Sequence, residues 1–148
     1  MLEVSWHHTS LAVNDLDRAL EFYREAFGFE LLFEARGMTS EIRSMTGVAE
    51  LSCDLAQLIL PGSEQVLELI AFATGHLPPE SAAPLQVGAG HVAFSVPDLE
   101  TALDEAKTLG ATLLGEITTF SEGRSAYCRE PAGSVFELTE FFEEVADD

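Results

Sequence analysis

The sequence predicts an α+β protein built from two copies of one βαβββ module, and three observations carry that reading. The stretches 8-HTSLAVNDLDRAL-20 and 91-HVAFSVPDLETAL-103 align without a gap, so that His91 follows His8 by 83 positions. Each then runs on to a glycine and a fresh apolar stretch, 27-FGFELLF-33 and 109-LGATLLG-115. Each copy closes on a similar strand, 66-VLELIAF-72 and 135-VFELTEF-141, with a glutamate at the same place.

Taken in order, residues 6–13 alternate as a strand does, and Asp15 stands where the N-cap of a helix belongs. Leu16, Ala19, Leu20 and Tyr23 form an apolar stripe at helical spacing, and Gly28 marks the end of that helix. Strands follow over 29–36, 50–60 and 65–72, with a loop or short helix over 37–49. The Pro-, Ala- and Gly-rich run 73–88 reads as a linker. The second copy repeats the plan: a strand over 90–96, Asp98 as N-cap, and the stripe Leu99, Ala102, Leu103 and Ala106. Gly110 ends that helix, and strands follow over 112–119, 124–130 and 134–141. The predicted organisation is one domain over 1–148, with module one at 5–72, module two at 89–142 and an acidic tail at 143–148.

A chain of 148 residues that is 47% hydrophobic and 22% charged can bury one substantial core. Seven basic against 26 acidic residues give a net charge of −19, which repels nucleic acid and anionic membranes. No leader-like or membrane-spanning apolar run is visible, so a cytoplasmic protein is expected. Cys53 and Cys128 lack the spacing of a metal or disulfide framework and read as reduced core residues.

Strand parity separates the two faces of each first strand. Val92, Phe94 and Val96 share the face that the amphipathic helix covers, while His91, Ala93 and Ser95 share the other. The same parity puts His8, Ser10 and Ala12 on the helix-free face and turns His7 toward the helix. Glu68 lies between Leu67 and Leu69, and Glu137 between Phe136 and Leu138. A carboxylate in such company is costly to bury without a partner. Two imidazoles and two carboxylates at repeat-related places suit one divalent ion, such as Zn, Ni, Co, Mn or Fe, and the lack of thiolates argues against a purely structural zinc.

The pattern H-x5-N/P-D-L, F-Y-x3-F-G-F, L-E-L, a second H-x5-x-D-L and 129-REPAGSVFEL-138 resembles the vicinal oxygen chelate superfamily over roughly residues 5–142. That group includes glyoxalase I, methylmalonyl-CoA epimerase, extradiol dioxygenases and bleomycin- or fosfomycin-resistance proteins. The resemblance implies a cup-shaped mixed sheet with helices outside and metal ligands at His8, Glu68, His91 and Glu137. Glu130 stands where the family usually has Asp.

The resemblance also narrows the chemistry. Dioxygenases and fosfomycin enzymes lack a carboxylate at the place of Glu68, and bleomycin-binding relatives lack the metal residues. A complete set therefore points to an isomerase, lyase or epimerase of glyoxalase I or methylmalonyl-CoA epimerase type. In that branch a substrate with vicinal oxygens chelates the ion and loses a proton from the adjacent carbon. Glu137 is expected as the main base, with Glu68 as the second catalytic carboxylate. Ala12 stands where bacterial glyoxalase I carries an arginine for glutathione, and Glu68 where the epimerases carry Gln. For the phosphates of a CoA substrate the candidates are Arg36, Arg43, Arg124 and Arg129. A ring-cleaving dioxygenase and a small-molecule-binding or resistance protein remain the alternatives. The family pattern further implies a homodimer.

Overall fold

The computed structural model describes residues 1, 3, 5–73 and 88–143. The predicted linker, apart from its end residues 73 and 88, lies outside the described residues, as does the tail from 144 onward. The chain divides into two compact units, Met1–Ser81 and Ala82–Asp148.

The first unit runs β1 (His8–Ala12), α1 (Leu16–Phe27), β2 (Glu30–Met38), α2 (Ser40–Thr46), β3 (Ser52–Ile59) and β4 (Val66–Ala73). Its four strands are ordered β1-β4-β3-β2, with β1 parallel to β4 and the other pairs antiparallel. Asp15 starts α1 by accepting from the Arg18 amide at 3.0 Å. Gly28 ends it in the left-handed region at φ 77°, a conformation that costs glycine little. Leu16, Ala19, Leu20 and Tyr23 are buried along the predicted stripe. Leu11, Ala56, Leu58, Leu67 and Leu69 are buried with them, as neighbours on one face of the sheet. The opposite face carries Ser10, Gln57 and Glu68 side by side. Farther along that face α2 lays Ile42 over Leu51, Cys53, Leu55 and Ile70, a small core packed by Met38 and Phe72.

The second unit runs β5 (Val92–Ser95), α3 (Leu99–Thr108), β6 (Thr112–Leu113), β7 (Thr118–Thr119), β8 (Gly123–Arg129) and β9 (Val135–Phe141). The strand order β5-β9-β8-β6 repeats that of the first unit, with β7 also pairing β8. Asp98 caps α3 through the Thr101 amide at 2.7 Å, and Phe136, Leu138, Ala126 and Cys128 are buried on the α3 side. Both cysteines are free and buried. The fold is therefore the predicted α+β arrangement of two βαβββ modules.

One predicted strand is divided. Residues 112–119 do not pair continuously: Leu113 faces Cys128, but Thr118 faces Ser125, so five steps on one strand span three on the other. Module one absorbs the same two-residue excess differently, as single-residue shifts at Leu31/Phe33 and Ala35/Met38. A one-residue bulge disrupts the ladder only locally, whereas two extra residues at one place, around Gly115, divide the strand. Among the described residues no helix is long and apolar enough to cross a membrane.

Candidate functional site

In module one, β1 and β4 run parallel in a register that sets Ser10 beside Glu68, and β3 sets Gln57 on its other side. Ser10 Oγ donates to Glu68 Oε1 at 3.1 Å and Gln57 Nε2 donates to Oε2 at 3.0 Å. The Nε2 of His8 stands 3.7 Å from Glu68 Oε2. Both carboxylate oxygens are thus held, and the side chain is only 13% exposed. His7 is exposed and meets His8 through the two Nδ1 atoms at 2.7 Å.

In module two the equivalent register places Ala93 and Tyr127 on either side of Glu137. Here the imidazole comes closer: His91 Nε2 lies 3.0 Å from Glu137 Oε2. Thr139 Oγ1 donates to Oε1 at 3.2 Å, and the Tyr127 ring packs edge-on against His91 with centroids 4.9 Å apart. Ser125 Oγ lies 3.0 Å from Thr139 Oγ1, so a short hydroxyl chain leads away from the carboxylate. A hollow of about 280 Å³ opens beside Glu137 between Phe120 and Phe141. Gly123 is among the residues that line it, and a Cβ there would stand 2.2 Å from the Glu140 carbonyl oxygen.

Each predicted ligand therefore meets the partner within its own module. Each pair, one imidazole nitrogen with one half-buried carboxylate, has the chemistry a divalent ion asks for. Asp98, Glu100 and Glu140 form another acidic group, with ligand atoms all within 4.8 Å of one another. It is a structural network on the α3 side of the sheet. Arg124 bridges Glu100 and Glu140, and Glu140 also accepts from the first amide of α3 at 2.7 Å. Glu100 and Glu140 raise the Arg124 guanidinium above its usual value, and the Arg124 guanidinium in turn holds the Glu100 carboxyl below its own.

The other arginines nominated as phosphate contacts are likewise engaged. Arg36 binds Asp17 at 2.6 Å and also Glu34; Arg43 donates to the Leu51 carbonyl at 2.8 Å and Arg129 to that of Gly133 at 2.8 Å. Glu130 is buried and accepts from the amides of Ala132 and Ser134, which makes it the clasp of the turn before β9. Sequence reasoning overlooked Gln57, Ser125 and Thr139. Their signal was a polar residue of the same parity as the glutamate, and it becomes readable only once the strand pairing is known.

Comparison with known proteins agrees with this architecture. The family model described as the Glyoxalase/Bleomycin resistance protein/Dioxygenase superfamily matches residues 5–138. A lactoylglutathione lyase of Pseudomonas aeruginosa is 31% identical over 128 residues, covering 76% of this chain and 69% of that protein. A 2-epi-5-epi-valiolone epimerase of an Actinomyces species is 31% identical over 147 residues, covering 91% of this chain and 78% of that protein. A glyoxalase family protein of Bacillus cereus superposes with a TM-score of 0.80 at 24% identity, over 97% of both chains. The fosfomycin resistance protein FosX of Listeria monocytogenes, solved with Mn(II) and 1S,2S-dihydroxypropylphosphonic acid, gives 0.60 at 16% identity, over 93% of this chain and 90% of that one. The chain belongs to the Glyoxalase/Bleomycin resistance protein/Dioxygenase superfamily.

Proposed function

We propose that the protein is a divalent-metal-dependent isomerase, lyase or epimerase that removes a proton next to a carbonyl. The observation that carries this reading is the duplicated pair: each module sets one histidine against one glutamate at matching positions, His8 with Glu68 and His91 with Glu137. The lyase and epimerase among its relatives support the same class of reaction. In this reading all four side chains hold the ion.

A bound divalent ion supplies Lewis acidity, stabilising the negative charge that develops on a vicinal oxygen of the substrate. The chain's own groups handle the proton. Glu137 is the base: it borders the hollow where a substrate sits, and Thr139 orients Oε1 while His91 meets Oε2. Glu68, held by two donors, serves as a positioned second carboxylate. Tyr127 packs against the His91 ring and holds its plane. A homodimer in the cytoplasm completes the reading.

Metal content of the purified protein, followed by calorimetric titration with Zn, Ni, Co, Mn and Fe ions, tests it. One ion per chain is expected. His8→Ala and His91→Ala should each weaken uptake by at least about 100-fold, since each removes a direct ligand. Unchanged binding in the double variant overturns the assignment.

A further inference from the structure

We infer that His7 is a positioning residue for ion capture: it accepts the Nδ1 proton of His8 and leaves His8 Nε2 bare for the metal. Together with Ser10 and Gln57, which hold Glu68, it makes module one the seat on which an ion first lands. The inference rests on the reading of His8 and Glu68 as metal ligands and adds the residues that keep them ready.

A neutral imidazole carries one proton, on either ring nitrogen, and only the bare nitrogen can bind a metal. On His8 the two choices are unequal. Its Nδ1 lies 2.7 Å from His7 Nδ1, with the rings edge-on at 79°, so a proton there meets an acceptor. Its Nε2 lies 3.7 Å from Glu68 Oε2, beyond hydrogen-bond reach, and that oxygen already accepts from Gln57. The proton therefore belongs on Nδ1. His7 is exposed, so its own Nε2–H can be given to solvent. A ligand histidine whose second nitrogen donates in this way is fixed in tautomer and ring orientation and becomes more basic. Glu68 is fixed likewise, by Ser10 on Oε1 at 3.1 Å and Gln57 on Oε2 at 3.0 Å, and each oxygen keeps a lone pair for an ion.

Module two lacks all three partners. The offset that carries His8 to His91 carries His7 to Gly90 and Ser10 to Ala93. Tyr127 stands beside Glu137 where Gln57 stands beside Glu68. His91 Nε2 instead lies 3.0 Å from Glu137 Oε2, so its proton occupies the nitrogen nearest the carboxylate. That proton has to pass to Nδ1 before Nε2 can bind an ion, whereas His8 needs no change. The pair that is already arranged captures first.

Long-range proton–nitrogen NMR on the metal-free full-length protein, at a pH where the imidazoles are neutral, reads each tautomer. His8 should carry its proton on Nδ1 and His91 on Nε2. In His7→Phe, which keeps a ring but offers no acceptor, His8 should populate both tautomers, with the melting temperature of the parent. Calorimetric titration with Zn(II) and Co(II) gives the second readout. His7→Phe should weaken uptake about tenfold, and Ser10→Ala combined with Gln57→Leu about 10–100-fold, the range for loss of outer partners. His8→Ala should weaken it at least about tenfold more than His91→Ala. A proton on Nε2 of His8 in the parent overturns the inference and needs no variant. Uptake that His8→Ala weakens but His7→Phe leaves unchanged overturns the inference alone. A parent that takes up no ion overturns the proposed function as well.

Discussion

The two modules share a path and a register but differ in what surrounds the carboxylate. Glu68 is held on both oxygens by Ser10 and Gln57, with His8 at 3.7 Å. Glu137 receives one hydroxyl, from Thr139, with His91 at 3.0 Å and a hollow beside it. A group pinned by two neutral donors is suited to stay where it is. A group that borders open space and has a closer imidazole is suited to exchange a proton. Duplication thus supplied two equivalent positions, and in the proposed function their cross-strand neighbours are what make Glu68 the anchored carboxylate and Glu137 the reactive one.

Kinetics offer the severest test of that contrast. Glu137→Gln should lower kcat by about 10²–10⁴-fold, the range for loss of a general base, while metal affinity changes far less. Glu68→Gln should do the reverse, weakening metal uptake and sparing more of kcat. Metal titration together with turnover of whichever ketone or thioester is accepted would show it, and an inverted ranking would exchange the two roles.

Stability offers a second contrast. Ile42→Ala hollows the closed cluster of module one and should cost about 2–5 kcal/mol, as large-to-small core substitutions do. Ser125→Ala, on the corresponding face of module two, should shift stability by less than about 1 kcal/mol, because the site is already open. Urea denaturation of both variants measures the difference, and equal losses would mean that the second module is packed as tightly as the first.

The smallest effect concerns acid. The Thr101 amide holds the Asp98 carboxyl below its usual range. A carboxylate whose folded value is depressed contributes stability above its unfolded value, and that contribution fades as pH falls through the folded one. The melting temperature of Asp98→Ala should therefore lie below that of the parent at neutral pH and converge with it on acidification. A gap that stays constant down to strongly acid conditions would remove this cap from the account.

Much of this was legible in the residues themselves. The repeat exposed the modules, and Asp15 and Asp98 marked the helix starts. What could not be read depended on pairing between distant strands. Ser125 and Thr139 become neighbours only through the β8–β9 ladder, and the engagement of Arg36 by Asp17 or of Arg124 by Glu140 spans separate elements. The divided strand over 112–119 has the same origin: Gly115 hints at a break, but the two-residue excess appears only against β8. The short helix over 40–46 was ambiguous because its burial rests on one residue, Ile42, against a sheet formed later in the chain.

The shifts along β2 have a consequence of another kind. That strand lies at the end of its sheet and carries Leu31, Leu32 and Phe33, all substantially exposed. An apolar strand with an unpaired rim is a template on which further chains can stack. By stepping out of line at Leu31/Phe33 and again at Ala35/Met38, β2 offers an incoming strand no long straight run of matching amides and carbonyls. An edge stepped in this way is the kind that disfavours the stacking of further chains.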